Sequence, residues 1–194
     1  MEKVYYGSQN GEIEEITSVK NASGKDVIYA TDNEIMALIL SNPGKGDLDT
    51  VRVVLGGKPI LVERRAGVLE GLLNTKGYVY ELDGTLFNHD SNAREYEVFS
   101  EQESIKPTKK VEYENVLEEL RKLAGEGKLE LYEYPNRPEQ IPADNSDLVD
   151  KYVFYFNNGV TTALDDLLDV YPEFAEEVKN RIVFVDHEEE NNTL

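Results

Sequence analysis

Near its start the chain reads Val4-Tyr5-Tyr6-Gly7-Ser8, an apolar and aromatic run that ends in glycine and serine. Such residues can hold a polar ligand. A phenol such as Tyr6 can hydrogen-bond a sugar hydroxyl. Gly7 has no Cβ, so a ligand can approach the backbone there. The Ser8 hydroxyl can bond a ligand or cap a turn. Further on, Gly24 to Asp32 reads Gly-Lys-Asp-Val-Ile-Tyr-Ala-Thr-Asp. Tyr29 in this segment offers either a flat ring for stacking or a core side chain. A third segment, Arg94-Glu95-Tyr96-Glu97-Val98-Phe99, carries two carboxylates two positions apart. On a strand the pair shares one face, and Tyr96 and Val98 share the other, buried one. Glu95 and Glu97 then form a solvated face or steady positive charge on a ligand.

These segments need elements to hold them. Residues 3–6 read as a strand ended by Gly7-Ser8, and 9–26 as a polar loop with a turn at Asn21-Ala22-Ser23-Gly24. Val27 to Ala30 is a β-branched and aromatic strand. Asp32 is placed to cap a helix that carries Glu34 in its first turn and Ile35, Leu38 and Ile39 at helical spacing. Val51 to Leu55 and Pro59 to Glu63 form two strands joined at Gly56-Gly57, a hairpin turn. A short helix over 66–73 is followed by strands over 77–82 and 94–99. Val116, Leu117, Leu120 and Leu123 form a helical stripe with Gly125 as its stop, and Leu129 to Tyr132 returns as a strand. Leu148 to Phe156 suits a helix capped by Asn145 or Ser146, although Tyr152 to Phe156 also suits a strand. A stripe from Leu164 to Ile182 contains Pro172, which kinks one helix or starts a second. Residues 186–194 are an acidic tail. Strands first and helices later predict an α+β fold, with one domain over 1–140 and a helical appendage over 141–194.

The 194 residues can bury a core without staples, and 40% of them are hydrophobic. A net charge of −19 repels phosphate backbones and anionic lipid, which argues against general nucleic-acid or membrane binding unless a local basic patch exists. With no cysteine there are no disulfides, thiolate metal sites or cysteine nucleophiles. The N-terminus lacks an apolar signal region and no run is long enough to span a membrane, so the expected location is cytoplasmic. His89 and His187 are too few and too far apart for a zinc site. Asp47 and Asp49 could contribute to a cation site, but their loop offers few other oxygens. Gly44-Lys45-Gly46 lacks phosphate-loop spacing. Two basic groups, Arg64-Arg65 and Lys106 with Lys109 and Lys110, could meet a pyrophosphate or simply be surface charge.

The order of the three segments resembles the ADP-ribosyltransferase-like superfamily, and in particular small bacterial proteins that open with a Leu-Tyr-His-Gly-Ser type strand. Val4 to Ser8 resembles the first strand of that family. Gly24 to Ala37 resembles its second motif, in which Gly-Lys-Gly leads through an aromatic strand to Ala, Asp and a helix. Arg94 to Phe99 resembles the strand that carries the catalytic glutamate, and Gly77 to Leu82 resembles a core strand. The likeness covers roughly residues 3–134. It implies a two-sheet core with NAD in a cleft between the sheets, transfer of ADP-ribose or hydrolysis of NAD, and a glutamate that contacts the nicotinamide ribose and steadies an oxocarbenium-like transition state.

Carried over residue by residue, the family histidine position is Tyr6, while Gly7 and Ser8 match. Counting back from Ala30 puts Ile28 at the stacking tyrosine's position and Tyr29 one residue later, on the other face of a strand. The Glu-Tyr match selects Glu95 as the catalytic carboxylate, and the Glu-x-Glu pattern of arginine-directed relatives selects Glu97. The resemblance thus implies a nucleotide ligand, NAD or a relative, at Tyr6, Gly7, Ser8 and Tyr29. A second reading keeps the fold without catalysis, as a module that binds a nucleotide or a protein partner. A third is transfer of an RNA 2′-phosphate on a related fold, against which the net charge argues.

Overall fold

A computed structural model describes residues 1–21, 23–89 and 94–182. The chain divides into two units, Met1–Arg137 and Pro138–Leu194. The fold is mixed α+β, with several sheets and six α-helices among the described residues.

The first unit opens with β1 (Lys3–Ser8), and two short strands, β2 (Ile16–Thr17) and β3 (Val19–Lys20), interrupt the loop that follows. β4 (Asp26–Thr31) leads into α1 (Glu34–Ile39). The hairpin of β5 (Thr50–Leu55) and β6 (Lys58–Glu63) is followed by α2 (Val68–Leu73), β7 (Gly77–Asp83) and β8 (Asn88–His89). After them come β9 (Glu97–Ser100), β10 (Ser104–Ile105), β11 (Lys109–Tyr113), α3 (Val116–Gly125) and β12 (Glu130–Tyr132). The main sheet has the order β11-β7-β1-β4-β9-β8, with β3 added on β4, and all its pairs are antiparallel. A second sheet has the order β12-β6-β5, in which β12 runs parallel to β6. β10 and β2 pair by themselves.

Local chemistry accounts for these elements. Gly56 and Gly57 both take positive φ, 58° and 80°, which gives the tight turn its right-handed fit between Leu55 and its partner Lys58. The cap of α1 is Asn33 and not Asp32: the Asn33 side chain accepts the Met36 N–H, while the Asp32 N–H reaches the Tyr96 carbonyl. α3 is capped by Asn115, which accepts the Glu118 N–H. Gly125 lies inside that helix. The stop is Gly127, whose φ of 75° an L side chain resists.

One core lies on the α1 side of the main sheet. It gathers Met36, Ala37, Leu38 and Ile39 with Leu61, Leu69, Val79, Leu117 and Leu120. Four consecutive residues of α1, Met36 to Ile39, are buried, as expected of a helix enclosed by other elements. The opposite face of the sheet carries Val4, Ile28, Tyr80, Leu82 and Val98 beneath Ile16, Phe87 and Ile105.

Tyr113, at the end of β11, packs against the α1-side core, and burial, aided by Glu34 and Glu119, pushes its phenol up to about 12. The folded value stands above the ordinary 10.0, so this contribution to stability is complete below pH 10.0 and is lost as pH rises through 12. Denaturant unfolding should therefore be easier at about pH 12 than at about pH 9, and Tyr113→Phe should lose less stability over that interval.

The second unit contains α4 (Asp147–Asn157), α5 (Ala163–Val170) and α6 (Ala175–Arg181). Residues 152–156 are helical, which resolves the strand alternative. Pro172 stands in a single 3-10 turn, Pro172–Phe174, between α5 and α6, so the long stripe is two helices. Leu148, Val149, Leu164, Leu167, Phe174 and Val178 are buried. Arg181 pairs with Asp150 and Glu177. His187 and the acidic tail lie outside the described residues. Among the described residues no helix is long and apolar enough to cross a membrane.

Candidate functional site

β1 and β4 share one register pair, Tyr5 with Thr31. Continuing that register would pair Tyr6 with Ala30, Gly7 with Tyr29 and Ser8 with Ile28, and none of these forms a ladder pair. Each strand stays paired along its outer edge, β1 to β7 from Lys3 to Ser8 and β4 to β9 from Ile28 to Thr31. The main sheet is thus split between two firmly held strands. Backbone N–H and C=O groups alternate sides along a strand, so the facing edges carry donors and acceptors that no ladder uses.

A cleft of about 290 Å³ occupies this split. Tyr6, Gly7 and Ser8 line it from β1, Tyr29, Ala30 and Thr31 from β4, and Tyr96 and Glu97 from the start of β9. The end of α1 and the residues after it, Leu40, Ser41 and Pro43, close one side. The register sets Glu81, Tyr5, Thr31 and Glu97 in one row across β7, β1, β4 and β9. Tyr29 lies two residues from Thr31 and therefore on the same face. Of the two candidates for a stacking position, Tyr29 is 38% exposed and Ile28 is 2% exposed. The residue at the cleft is Tyr29, and Ile28 belongs to the core on the other face.

The two carboxylates part company. Arg94, Glu95 and Tyr96 form a turn, closed by the Glu97 N–H donating to the Arg94 carbonyl at 2.8 Å. The strand begins only at Glu97, so Glu95 and Glu97 do not share a strand face. Glu97 is half-buried and lines the cleft; Glu95 is exposed and does not. Tyr96 is buried, but in the core on the α1 side and not on one face with Val98, which packs in the opposite core, because Tyr96 lies in the turn before the strand; Tyr96 also lines the cleft.

The first strand changes meaning too. A Cβ at Gly7 would stand 1.7 Å from the Ala37 carbonyl oxygen. The space that glycine leaves open is filled by the backbone of α1, so Gly7 lets a helix approach the sheet, whereas the sequence alone suggests room for a ligand. The Ser8 Oγ accepts the Asn10 N–H at 3.0 Å and caps the end of the strand; its proton remains for a second partner. Tyr6 is half-buried and packs against the core on the face away from α1.

Sequence patterns gave no reason to single out Thr31, Ser41 or Tyr96. Tyr96 accepts a hydrogen bond from Arg94 at 2.9 Å, and Arg94 pairs with Asp47 at 3.1 Å. Burial opposes the Arg94 charge, but Tyr96 and Asp47 outweigh it and raise its pKa. Ser41 is 6% exposed, and its buried Oγ has no hydrogen-bond partner among the described residues. A lone polar atom after an apolar helix is a weak signal that burial alone makes informative. An unsatisfied buried hydroxyl costs about 1–3 kcal/mol. Thermal or denaturant unfolding of Ser41→Ala should therefore show unchanged or higher stability in the absence of ligand. A clear loss would mean that the hydroxyl has a structural bond.

The other candidates fall outside this cleft. The Asp49 carboxylate accepts the Lys45 N–H at 2.7 Å and pairs with Arg65 at 2.6 Å, and Asp47 pairs with Arg94. Both carboxylates pair with arginines. No group of three metal-capable side chains exists among the described residues. His89 sits in β8, with its Nε2 3.8 Å from an Asp32 carboxylate oxygen. Lys109 and Lys110 border a separate hollow of about 470 Å³, where Lys110 donates to the Gly11 carbonyl at 2.7 Å. Comparison of the chain with family models, curated proteins and solved structures finds no match.

Proposed function

We propose that the split between β1 and β4 is a nucleotide site of ADP-ribosyltransferase type, which takes the nicotinamide-ribose part of NAD or a relative. The observation that carries this reading is the convergence of Tyr6, Gly7, Ser8, Tyr29 and Glu97, from three strands far apart in sequence, on one cleft. Tyr29 offers a ring to stack on nicotinamide, open strand edges offer backbone bonds, and Glu97 faces the ribose. In the reaction the bond between C1′ and the pyridinium nitrogen breaks, and its electron pair neutralises the nitrogen. Glu97 steadies the oxocarbenium ion until water or an acceptor attacks C1′ and gives up a proton. Incubation of the purified chain with NAD should release nicotinamide. No release, together with no thermal shift on adding NAD, would remove this reading.

A second reading, a module that binds without turnover, is favoured by Tyr6. It stands where the family that the motifs resemble has histidine, and it packs partly into the core. NAD-dependent thermal stabilisation without nicotinamide release would select it.

A further inference from the structure

We propose that the cleft selects a cationic N-riboside without phosphate, a pyridinium nucleoside such as nicotinamide riboside, and that any attached phosphates lie outside it. The inference rests on the reading of the cleft as a nicotinamide-ribose site and adds what that site prefers. Its volume of about 290 Å³ is at the lower edge of the ~300–1,000 Å³ typical of drug-sized ligands, which suits one nucleoside and not a dinucleotide. Among the described residues that line it, the one charged side chain is Glu97. Four tyrosines, Tyr5, Tyr6, Tyr29 and Tyr96, line the cleft together with that carboxylate. Aromatic rings beside a carboxylate attract an organic cation, and a pyridinium ring also stacks on them. Phosphate, by contrast, is bound by arginine forks, lysines and helix N-termini. The guanidinium next to the cleft wall, Arg94, is held by Tyr96 and Asp47. A chain of net charge −19 further disfavours a ligand that brings several negative charges.

The test is calorimetric titration of the full chain with nicotinamide riboside, its uncharged dihydro form, NAD and ADP-ribose at one ionic strength. Nicotinamide riboside is expected to bind at least as tightly as NAD and about tenfold more tightly than the dihydro form, which has the same shape. ADP-ribose should not compete with it. Glu97→Gln should erase the preference for the charged ring. Tighter binding of NAD or ADP-ribose than of the riboside would overturn the inference while leaving a dinucleotide site in place. Equal binding of the charged and uncharged ribosides would overturn it on the ground of charge. If none of the four ligands binds, the nicotinamide-ribose site itself falls, and this inference with it.

Discussion

Glu97→Gln is expected to lower nicotinamide release from NAD by about 10²–10³-fold, the scale on which single electrostatic contributions to a transition state are lost. Glutamine keeps the size of the side chain and removes its charge. Glu97 is half-buried at the first position of β9, and its place opposite Thr31 fixes it in the cleft wall. On the proposed reading a carboxylate there acts most strongly on the oxocarbenium ion, so kcat should fall further than KM changes. Stability should move by less than about 0.5 kcal/mol, as for most changes away from a core. Glu95→Gln is the control. Glu95 is exposed in the turn before the strand, and its loss should leave the rate unchanged. An enzymatic nicotinamide assay of both variants decides between them. A rate that falls with Glu95 and not with Glu97 would place the catalytic carboxylate outside the cleft.

Gly7→Ala should be among the most destabilising single changes in the first unit, by about 3 kcal/mol, the upper end of overpacking costs. The new methyl would lie 1.7 Å from the Ala37 carbonyl oxygen, 2.8 Å from its carbon and 3.0 Å from the Ser41 nitrogen. All three are backbone atoms, so no rotamer change relieves the overlap. α1 would have to lift from β1, and the cleft wall that it forms would move with it. Gly71 is the contrast: it lies within α2, and a Cβ there meets nothing within 4 Å. Gly71→Ala should raise stability by about 0.5–1 kcal/mol, because alanine is the better helix former. Chemical denaturation of the two variants beside the parent checks both signs.

Much of the fold was legible because its local signals agree with one another. Gly56-Gly57 between two β-branched runs could scarcely be anything but a hairpin turn. The stripe of Val116, Leu117 and Leu120 faces the core as its spacing requires. The misreadings fall where tertiary pairing decides. Asp32 and Asn33 can both cap a helix, and the pairing of Asp32 with Tyr96 leaves the cap to Asn33. Arg94 to Phe99 looks like a continuous strand, but β4 ends at Thr31. The antiparallel ladder therefore has nothing to offer Glu95 once Glu97 has taken Thr31. Composition cannot show that two strands separate after one register pair, which is how the cleft arises. Nor can it show that Ser41 is buried without a partner among the described residues, or that the space beside Gly7 belongs to a helix.

Amide chemical-shift mapping of the isotope-labelled chain during a titration with nicotinamide riboside and with NAD tests the central claim most directly. The account predicts shifts concentrated at Tyr6 to Ser8, Tyr29 to Thr31, Ser41 and Glu97, the residues that surround the split in the sheet. Shifts centred on Lys109 and Lys110 at the separate hollow, or no shifts at millimolar ligand, would contradict it.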